Sequence, residues 1–497
     1  MISPSGHVPA RLDPRLVFQT RGRLEPEEPA LQIAIDEYLR LRGPLDWPHP
    51  FFEFQRFGIR TLASRDRLLL ADDMGLGKTV QAVAALRILF HRREIEDTLA
   101  VVPAGLISQW QGALREWAPE LRVSTIRGSA TDRAWQWRAH VHVFLTSYET
   151  LRSDLTDNPH SAPRRRNWGV ALFDEAQKIK NRETELARAC KRVPRQRSWA
   201  LTGTPLENRL DDLASICELV TPWRDGEPAV RFSPGPALLE HHSGIQLRRR
   251  KADVLRDLPA KSLIDVTLQL TSAQRETYLQ AEREGVFRLH QLGATIRITH
   301  VLELITRLKQ ICNFCPQTGE SAKISDLTER LATLVAEGHR ALVFSQYADE
   351  RFGAARVASE IRDFSPLAYT GALSTQERDD LVTRFRREPR HSALVLSLRA
   401  GGQGLNLQEA SYVFHFDRWW NPAWERQAED RTHRLGQRLP VTVYRYLCED
   451  TIEERIDEIL RSKQALFDTV VDDVSLDLPR LLTQAEIFGL FGLRVPR

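Results

Sequence analysis

The chain has 497 residues, which at about 150 residues per domain corresponds to roughly three domain-sized units. Hydrophobic residues make up 42% and charged residues 27%, and these fractions exclude a disordered, collagen-like or coiled-coil protein. The formal charge is only +4, from 70 basic and 66 acidic residues, so binding of any polyanion must depend on local features. No apolar run could span a bilayer and the first residues lack a signal-peptide core, so we expect a cytoplasmic protein.

Short apolar segments of strand character alternate with longer amphipathic segments in two parts of the sequence, a pattern typical of parallel α/β sheets. The first set of strands is predicted at 67–71, 98–102, 141–146, 169–173 and 198–202. The second set is predicted at 341–345, 393–397, 411–416 and 441–447, with a helix over 326–338. Between the two sets, 206–320 shows helical patterns and no convincing strand.

The sequence therefore predicts an α/β protein with two parallel-sheet lobes, helical insertions between them and a C-terminal helical segment. The predicted divisions are an N-terminal extension (1–45), a first lobe (46–235), a helical insertion (236–320), a second lobe (321–470) and a C-terminal tail (471–497).

One segment, LLLADDMGLGKTVQAVAAL at 68–86, combines an apolar strand, a glycine turn and a helix. Backbone N–H groups of such a turn and the positive end of the helix bind phosphate oxygens. In this arrangement Lys78 reaches the β and γ phosphates and the Thr79 hydroxyl binds magnesium. Asp72 stands where the generic pattern has glycine, so the match is to the variant A-x-x-x-G-x-G-K-T.

Lysine usage also singles out Lys78. The chain has 9 lysines against 61 arginines, and Lys78 is the only lysine in the first 177 residues. A compact, mobile ammonium and a planar guanidinium do different jobs. The position of Lys78 in a glycine turn therefore favours a specific role.

A second motif, LFDEAQK, places two carboxylates directly after an apolar strand that ends at Phe173. Ligands of open α/β sheets bind at the carboxyl edge of the strands, so Asp174 can hold magnesium and Glu175 can orient or activate a water. A lone acidic pair is a weak signal, but together with Lys78 and Thr79 in the same sheet it indicates hydrolysis of a nucleoside triphosphate.

A third motif, QAEDRTHR, lies in the second lobe at 427–434. Arg431 and Arg434 are three residues apart and would share one face of a helix. They could be a solvated surface, but opposite a bound nucleotide they would act as arginine fingers, which contribute about 10³ to 10⁵ to hydrolysis rates.

With these motifs in order, the chain resembles the Snf2-family ATPases of helicase superfamily 2 over roughly residues 52–470. The resemblance includes ADDMGLGKT, VVPAGLISQW, TSYETL, LTGTPLEN, LRRRKADVLRDLPAK, RLKQICN, SLRAGGQGLNL, FDRWWNPAWERQAEDRTHRLGQ and TIEERI. It implies two RecA-like lobes and use of ATP and Mg²⁺. The ATP contacts that it implies are Gln55, which resembles the adenine-reading glutamine, together with Asp73, Met74, Gly75, Leu76, Gly77, Lys78, Thr79, Gly404 and Gln427.

The same resemblance implies a nucleic-acid backbone bound across both lobes. The predicted contacts are Thr146, Ser147, Ser345, Gln346, Ser397, Gly401 and Gly402, where hydroxyls and glycine N–H groups can approach phosphate. The alternative is that these residues simply make turns. Arg248 to Lys251 is interpreted as a solvated basic face, and Trp419 and Trp420 as packing residues rather than a stacking surface.

One residue departs from the family's pattern, and one cysteine pair needs an interpretation. Gln177 stands where many family members have histidine, which leaves hydrolysis intact but puts its coupling to nucleic acid in doubt. Cys312 and Cys315 form a C-x-x-C, but no second pair follows, so the RLKQICN helix is the favoured interpretation over zinc or redox chemistry. The five scattered cysteines fit a reducing compartment.

The expected function is an ATP-dependent motor that moves along double-stranded DNA and remodels or displaces bound proteins, acting as a monomer at the nucleoid. One alternative is a helicase that separates strands of DNA or RNA. Another is a nucleotide-gated subunit of an RNA polymerase, repair or anti-phage complex.

Overall fold

The computed structural model describes residues 45–156, 162–203, 210–224, 226–228, 230–254, 259–397, 405–419, 422–434, 436–462 and 482–493. The predicted N-terminal extension and most of the predicted C-terminal tail lie outside the described residues. Within that part of the chain, no helix combines the length and apolar character that a membrane span requires.

Two separate parallel sheets organise the described residues. The strands are β1 (Arg67–Leu70), β2 (Thr98–Val102), β3 (Val123–Thr125), β4 (Val143–Ser147), β5 (Trp168–Asp174), β6 (Arg195–Leu201), β7 (Gln246–Leu247), β8 (Lys261–Leu268), β9 (Ala341–Ser345), β10 (Leu367–Tyr369), β11 (Ala393–Ser397), β12 (Tyr412–His415) and β13 (Val441–Cys448). The first sheet has the order β3-β4-β2-β5-β6-β1-β7, and the second has the order β10-β11-β9-β12-β13-β8. The fold is therefore α/β with two parallel-sheet lobes, as the sequence predicts.

Helices cover both sheets and form a further layer beside the second one. They are α1 (Glu53–Ser64), α2 (Lys78–His91), α3 (Ile107–Trp117), α4 (Ala130–Gln136), α5 (Tyr148–Thr156), α6 (Ala162–Arg165), α7 (Glu185–Lys191), α8 (Leu210–Val220), α9 (Pro236–Ile245), α10 (Lys251–Val254), α11 (Ser272–Leu292), α12 (Ile298–Asn313), α13 (Ala322–Ala336), α14 (Ala354–Glu360), α15 (Thr375–Arg387), α16 (Pro422–Glu429), α17 (Ile452–Ser462) and α18 (Gln484–Gly489). Short 3-10 helices occupy Ala104–Leu106, Ala176–Ile179, Gly293–Thr295 and Arg362–Phe364.

Fully buried apolar strands form the centre of each lobe. The strands β2, β9 and β11 have the predicted bounds, and every residue in them is buried. Buried parallel strands are read as continuous apolar runs because both of their faces are covered by helices. Capping boxes set the first residues of several helices. Ser374 and Glu377 form one at the start of α15, and Thr271 and Gln274 form another at the start of α11.

The interpretation of 206–320 as helical material without strands is wrong. In this segment β7 pairs with β1 of the first sheet, and all eight residues of β8 pair with β13 of the second. The helices α11 and α12 do not stand between the lobes, since their apolar faces share one core with α17 and α18, which includes Tyr278, Leu308, Ile456 and Phe488. The segment thus supplies an edge strand to each sheet.

A buried network of charges joins α12, α13 and α17 beneath the second sheet. Lys323 Nζ lies 2.7 Å from Glu453 Oε1, and both side chains are fully buried. Lys323 also donates to Asn313 Oδ1 at 3.1 Å, and Asn313 Nδ2 donates to Asp417 Oδ2 at 2.8 Å. Burial lowers the pKa of Lys323, but the Glu453 carboxylate and other neighbours raise it further, so the net shift is above its usual value. The ammonium therefore stays charged.

We expect Lys323→Met to lower the free energy of unfolding by about 3–5 kcal/mol, because it leaves the Glu453 carboxylate buried without its partner. Urea denaturation followed by circular dichroism measures the loss. Replacing both residues, Lys323→Met with Glu453→Leu, should recover most of it. Arg356→Met removes a surface ion pair with Glu360 and should cost about 1 kcal/mol or less. Equal costs for the Lys323 and Arg356 variants would contradict the expectation.

Two of the buried cysteines, Cys312 and Cys448, lie beside this network. The thiols of Cys312 and Cys448 and the Glu453 carboxylate lie within 4.8 Å of one another, close enough to resemble a metal site. The two Glu453 oxygens, however, already accept hydrogen bonds from Lys323 Nζ and Cys448 N. Cys315 is not a member of this group, and its Sγ donates to Gln317 Oε1 at 3.4 Å. The arrangement is that of a core ion pair, which agrees with the helical interpretation of RLKQICN.

Candidate nucleotide site

The phosphate turn follows β1 and precedes α2, as predicted. Gly75 and Gly77 adopt φ values of 84° and 75°, a region in which residues with a Cβ are strained. The ammonium of Lys78 donates to the carbonyl oxygens of Asp72 at 2.7 Å and Asp73 at 3.2 Å, on the inside of the turn. Thr79 follows Lys78 in the first turn of α2. The turn thus presents a lysine, a hydroxyl and a helix N-terminus together.

Gln55 reaches this turn from α1. Its Nε2 donates to the Leu76 carbonyl at 3.4 Å, and its Oε1 accepts from Phe52 N at 3.1 Å. The same Nε2 lies 2.8 Å from the place where a Cβ on Gly77 would be, so a side chain there would displace the glutamine. The structure therefore brings Gln55 and the predicted turn residues together.

The second carboxylate motif ends β5 in the same sheet. Asp174 is buried, and its Oδ2 accepts a hydrogen bond from Trp110 Nε1 at 2.7 Å. Tyr148 OH donates to the Asp174 carbonyl at 2.7 Å. Burial raises the pKa of the Asp174 carboxyl to about 7, the Glu175 carboxylate acts in the same direction, and the Trp110 indole and the Lys78 ammonium oppose it. Burial and the neighbouring carboxylate thus favour the protonated form of Asp174, and the indole and the ammonium favour the charged form.

Glu175 is held by its backbone and by a neighbouring amide. Its φ and ψ are both 52°, the left-handed region that a residue with a side chain rarely adopts. Gln177 Nε2 donates to Glu175 Oε2 at 2.6 Å, and Gln177 Oε1 accepts from Thr202 Oγ1 at 2.9 Å. Gln177 thus links the Glu175 carboxylate to Thr202, the residue that follows β6.

Arg431 and Arg434 lie opposite this site, but not on a helix. The helix α16 ends at Glu429, and the two arginines follow in tight turns, so the predicted shared helix face is wrong. Their guanidinium groups nevertheless converge, because Nη1 of each donates to the Leu405 carbonyl, at 3.5 and 3.2 Å. The two guanidinium groups therefore point towards the same carbonyl because of these turns, and not because of a helix.

Charges and close packing connect the arginines to the first lobe. Burial lowers the pKa of Arg431 to about 10 and the Arg434 charge lowers it too, whereas the carboxylate of Glu175 raises it. The Cβ of Arg434 lies 2.9 Å from the place where a Cβ on Gly75 would be. The arginine segment therefore packs on the phosphate turn and faces the carboxylate that is predicted to activate water.

The residues present fit a nucleotide with a divalent cation. The turn has the glycines that close approach of phosphate requires, and Thr79 and Asp174 would supply the hydroxyl and carboxylate oxygens that magnesium prefers. In the second lobe, Gln427 is buried in α16 and its Oε1 makes no hydrogen bond with any described residue. Gly404 lies outside the described residues, so its predicted role stays a prediction.

Four of the predicted nucleic-acid contacts lie at strand ends and have their side chains turned inward. Thr146, Ser147, Ser345 and Ser397 are buried. Ser147 Oγ accepts from Thr150 N at 3.1 Å, and Ser345 Oγ donates to Asp417 Oδ2 at 2.6 Å. These two hydroxyls therefore already have hydrogen-bond partners inside the protein.

The remaining predicted contacts have different outcomes. Gln346 is half-buried; its N–H donates to Asp417 Oδ1 at 2.6 Å, and its Oε1 accepts from Lys309 Nζ. Ser345 and Ser397 are paired in register on adjacent strands. Gly401, Gly402 and Trp420 lie outside the described residues, whereas Trp419 packs 6.0 Å from the Trp424 ring. No structural finding tests nucleic-acid binding at these positions, and it stays a prediction.

Four residues of the site escaped the sequence reasoning. Trp110 and Tyr148 hold Asp174, while Arg249 and Lys251 contact the phosphate turn. The interpretation of Arg248 to Lys251 as a solvated face is wrong for two of its members, because the side chains of Arg249 and Lys251 are only 11% and 14% exposed. The rarity of lysine was a signal that could have identified Lys251.

A glycine turn with a lysine, a strand-end carboxylate pair and arginines from a second parallel-sheet lobe define a two-lobe nucleotide-binding protein of the P-loop class. A family model described as the SNF2-related domain matches residues 54–228 and 237–316, and one described as the helicase conserved C-terminal domain matches 322–436. The chain belongs to the SNF2-related family.

Relatives agree with this assignment. Bacillus subtilis YwqA, which carries the provisional name of an ATP-dependent helicase/translocase, is 34% identical over 88% of this chain and 50% of its own length. The mouse SWI/SNF-related matrix-associated actin-dependent regulator of chromatin subfamily A member 1 is 31% identical over 84% of this chain and 42% of its own length. The chain thus spans about half the length of these relatives or less.

A solved structure titled as the Sulfolobus solfataricus SWI2/SNF2 ATPase core in complex with dsDNA is 28% identical to this chain. The match covers 92% of this chain and 100% of that one, with a TM-score of 0.40.

Proposed function

We propose that this chain is an ATP-dependent motor that moves along double-stranded DNA and displaces or remodels proteins bound to it. One observation carries the proposal: Arg434 of the second lobe packs against the phosphate turn of the first, and the Arg431 guanidinium interacts electrostatically with the Glu175 carboxylate. A site completed by two lobes makes hydrolysis depend on their relative position, which is what a motor requires. The names of the relatives, a helicase/translocase and a regulator of chromatin, support DNA as the track.

Each side chain has a distinct part in this proposal. Lys78 and the N–H groups of the turn would bind phosphate oxygens, while Thr79 and Asp174 would hold a magnesium ion, which would supply charge stabilisation at the phosphates. Trp110 keeps one Asp174 oxygen in place. Glu175 accepts the proton of the attacking water, and the Gln177 amide fixes the direction of that carboxylate.

The arginines complete the site electrostatically. Arg431 and Arg434 stabilise the charge that develops during transfer, and they do so only when the lobes are closed. Because Gln177 also contacts Thr202 after β6, the water-activating carboxylate is joined to a segment outside the phosphate turn.

The proposed track is duplex DNA bound across both lobes, and the motor is proposed to act as a monomer in the cytoplasm, at the nucleoid. All five cysteines are free and buried, which fits a reducing compartment.

Steady-state ATP hydrolysis should rise more with saturating duplex DNA than with single-stranded DNA or RNA, because the proposed motor tracks a duplex. Phosphate release by the wild-type chain measures this, with Lys78→Ala as the inactive blank. Stimulation by single strands or RNA alone, with strand displacement, would favour a helicase. No stimulation by any nucleic acid would instead favour a nucleotide-gated subunit that needs a protein partner.

A further inference from the structure

The segment 246–251, here called the strap, runs along the strand that leads into the phosphate turn. Gln246 and Leu247 pair in register with Leu69 and Leu70 of β1. The pairing then continues past the strand, since Ala71 N donates to Leu247 O at 2.8 Å and Asp73 N donates to Arg249 O at 3.0 Å. The backbone of the strap is thus fixed to the first lobe up to the turn itself.

Arg249 explains why Asp72 occupies a position where the generic phosphate pattern has glycine. Its Nε and Nη2 donate to the two Asp72 carboxylate oxygens at 2.9 and 2.5 Å, and Nη2 also donates to Gln81 Oε1 at 2.8 Å. Asp72 is fully buried, and a buried carboxylate needs such a partner. The guanidinium further donates to the Phe54 carbonyl, so it joins α1, the turn and α2.

Lys251, two residues after Arg249, connects the strap to the second lobe. Its backbone N donates to Asp73 Oδ2 at 2.9 Å, which keeps the residue at the turn. Its Nζ donates to Asp430 Oδ1 at 2.5 Å and to the His433 carbonyl at 2.9 Å. Asp430 directly precedes Arg431 and His433 directly precedes Arg434, so one ammonium binds the arginine segment next to both arginines.

The fit around the turn is close. The Cε of Lys251 lies 3.2 Å, and the Cβ of Arg434 2.9 Å, from the place where a Cβ on Gly75 would be. The lysine side chain is 14% exposed and the Asp430 side chain 20%, so their ion pair is largely shielded from solvent. A shielded pair is less weakened by water and salt than one on the surface.

We propose that Lys251 is a positioning residue: from the strap on the first lobe, its ammonium holds Asp430 and His433 so that Arg431 and Arg434 reach the nucleotide site. This inference rests on the proposed ATPase function and adds to it a direct contact between the phosphate turn and the arginine segment. Misplacement of a catalytic group by about 1 Å can cost about 10²-fold in rate. Removal of the ammonium should therefore act on turnover more than on nucleotide binding.

The test uses Lys251→Met and Asp430→Asn, singly and together, in the full chain. Lys251→Met should lower kcat for ATP by about 10- to 100-fold with KM changed by about 3-fold or less, since Lys78 and the turn stay intact. The double variant should be no worse than the poorer single variant, and Lys251→Arg should restore part of the rate. Additive losses in the double variant would overturn the proposal.

A matched control is available one residue away from Asp430. Lys261 Nζ lies 2.7 Å from Glu429 Oε2, but that ion pair joins β8 to α16 within the second lobe and does not reach the phosphate turn. Lys261→Met should leave kcat and KM near those of the wild type. Thermal melting of both variants reports any loss of folding. Equal effects of Lys251→Met and Lys261→Met on kcat would show a merely structural role.

A distance measurement separates failure of this inference from failure of the proposed function. Dyes on Glu96→Cys and Asp363→Cys, which are exposed positions in different lobes, can be attached selectively because the five native thiols are buried. Without nucleotide, Lys251→Met should broaden the distribution of energy transfer between the dyes, and Lys261→Met should not. If the wild type hydrolyses no ATP, the proposed function fails, whereas an unchanged distribution in Lys251→Met overturns the inference itself.

Discussion

Glu175→Gln should lower kcat for ATP hydrolysis by about 10²- to 10⁴-fold while ATP still binds, because the amide keeps the shape of the side chain and loses its ability to accept a proton. Glu175 directly follows Asp174 at the carboxyl edge of β5, and Gln177 Nε2 holds one of its oxygens at 2.6 Å. Its left-handed backbone is the kind of strain that a protein retains where it serves a site. Phosphate release gives kcat, and titration with a fluorescent ATP analogue gives the affinity.

The control for this substitution is Glu185→Gln, an exposed carboxylate in the first turn of α7 of the same lobe, which should leave both quantities unchanged. Parallel loss of ATP binding and hydrolysis in Glu175→Gln would indicate that the residue binds the nucleotide rather than activates water. Hydrolysis near the wild-type rate would remove Glu175 from the catalytic group altogether.

The parts of the fold that the sequence predicts well are those with one unambiguous signal. The strands β2, β9 and β11 are continuous apolar runs between helices, and burial on both faces leaves no other pattern. The strand β8 was missed because it is the outer strand of its sheet, and Leu263 and Ile264 in it are 49% and 40% exposed. Its mixed sequence, KSLIDVTL, fits neither the buried nor the alternating pattern.

The candidate site divides in a similar way. Asp174 and Glu175 could be predicted because they lie at the end of β5, where sequence order and spatial position coincide, and Lys78 because the strand, glycine turn and helix around it are consecutive in the sequence. Trp110 lies 64 residues from Asp174, and Arg249 lies 177 residues from Asp72, so only the fold brings these pairs together. Arg434 packs beside the phosphate turn, but the helix that was expected to orient Arg431 and Arg434 ends two residues before Arg431.

The rarity of lysine indicates specific contacts at other positions besides Lys78. In a chain with 61 arginines, five of the 9 lysines are Lys78 at the phosphate turn, Lys251 on the strap, Lys261 beside Glu429, and the buried Lys309 and Lys323. Each of these ammonium groups binds a carbonyl, carboxylate or amide oxygen in a space that has little access to solvent. A compact ammonium with three rotatable donors suits contacts of this kind.

Arg431→Ala and Arg434→Ala, made separately, should each lower kcat by about 10³- to 10⁵-fold, with ATP affinity reduced by no more than about 10-fold. Both guanidinium groups donate to the Leu405 carbonyl, and Arg431 has the Glu175 carboxylate among its charged neighbours. Because they belong to the second lobe, they contribute to the transition state more than to the initial binding at the phosphate turn. Steady-state kinetics and analogue titration separate the two effects.

Arg438→Ala is the matched control, since Arg438 is exposed and lies four residues beyond Arg434. This substitution should leave kcat and ATP affinity unchanged. Arg431→Lys should recover only a small part of the rate, because an ammonium cannot reproduce the bidentate geometry of a guanidinium. If binding and turnover fell together in the alanine variants, Arg431 and Arg434 would be ligands of the ground state. If instead turnover falls while ATP affinity is kept, both in the alanine variants and in Lys251→Met, then the strap and the arginines act as one unit that closes the site.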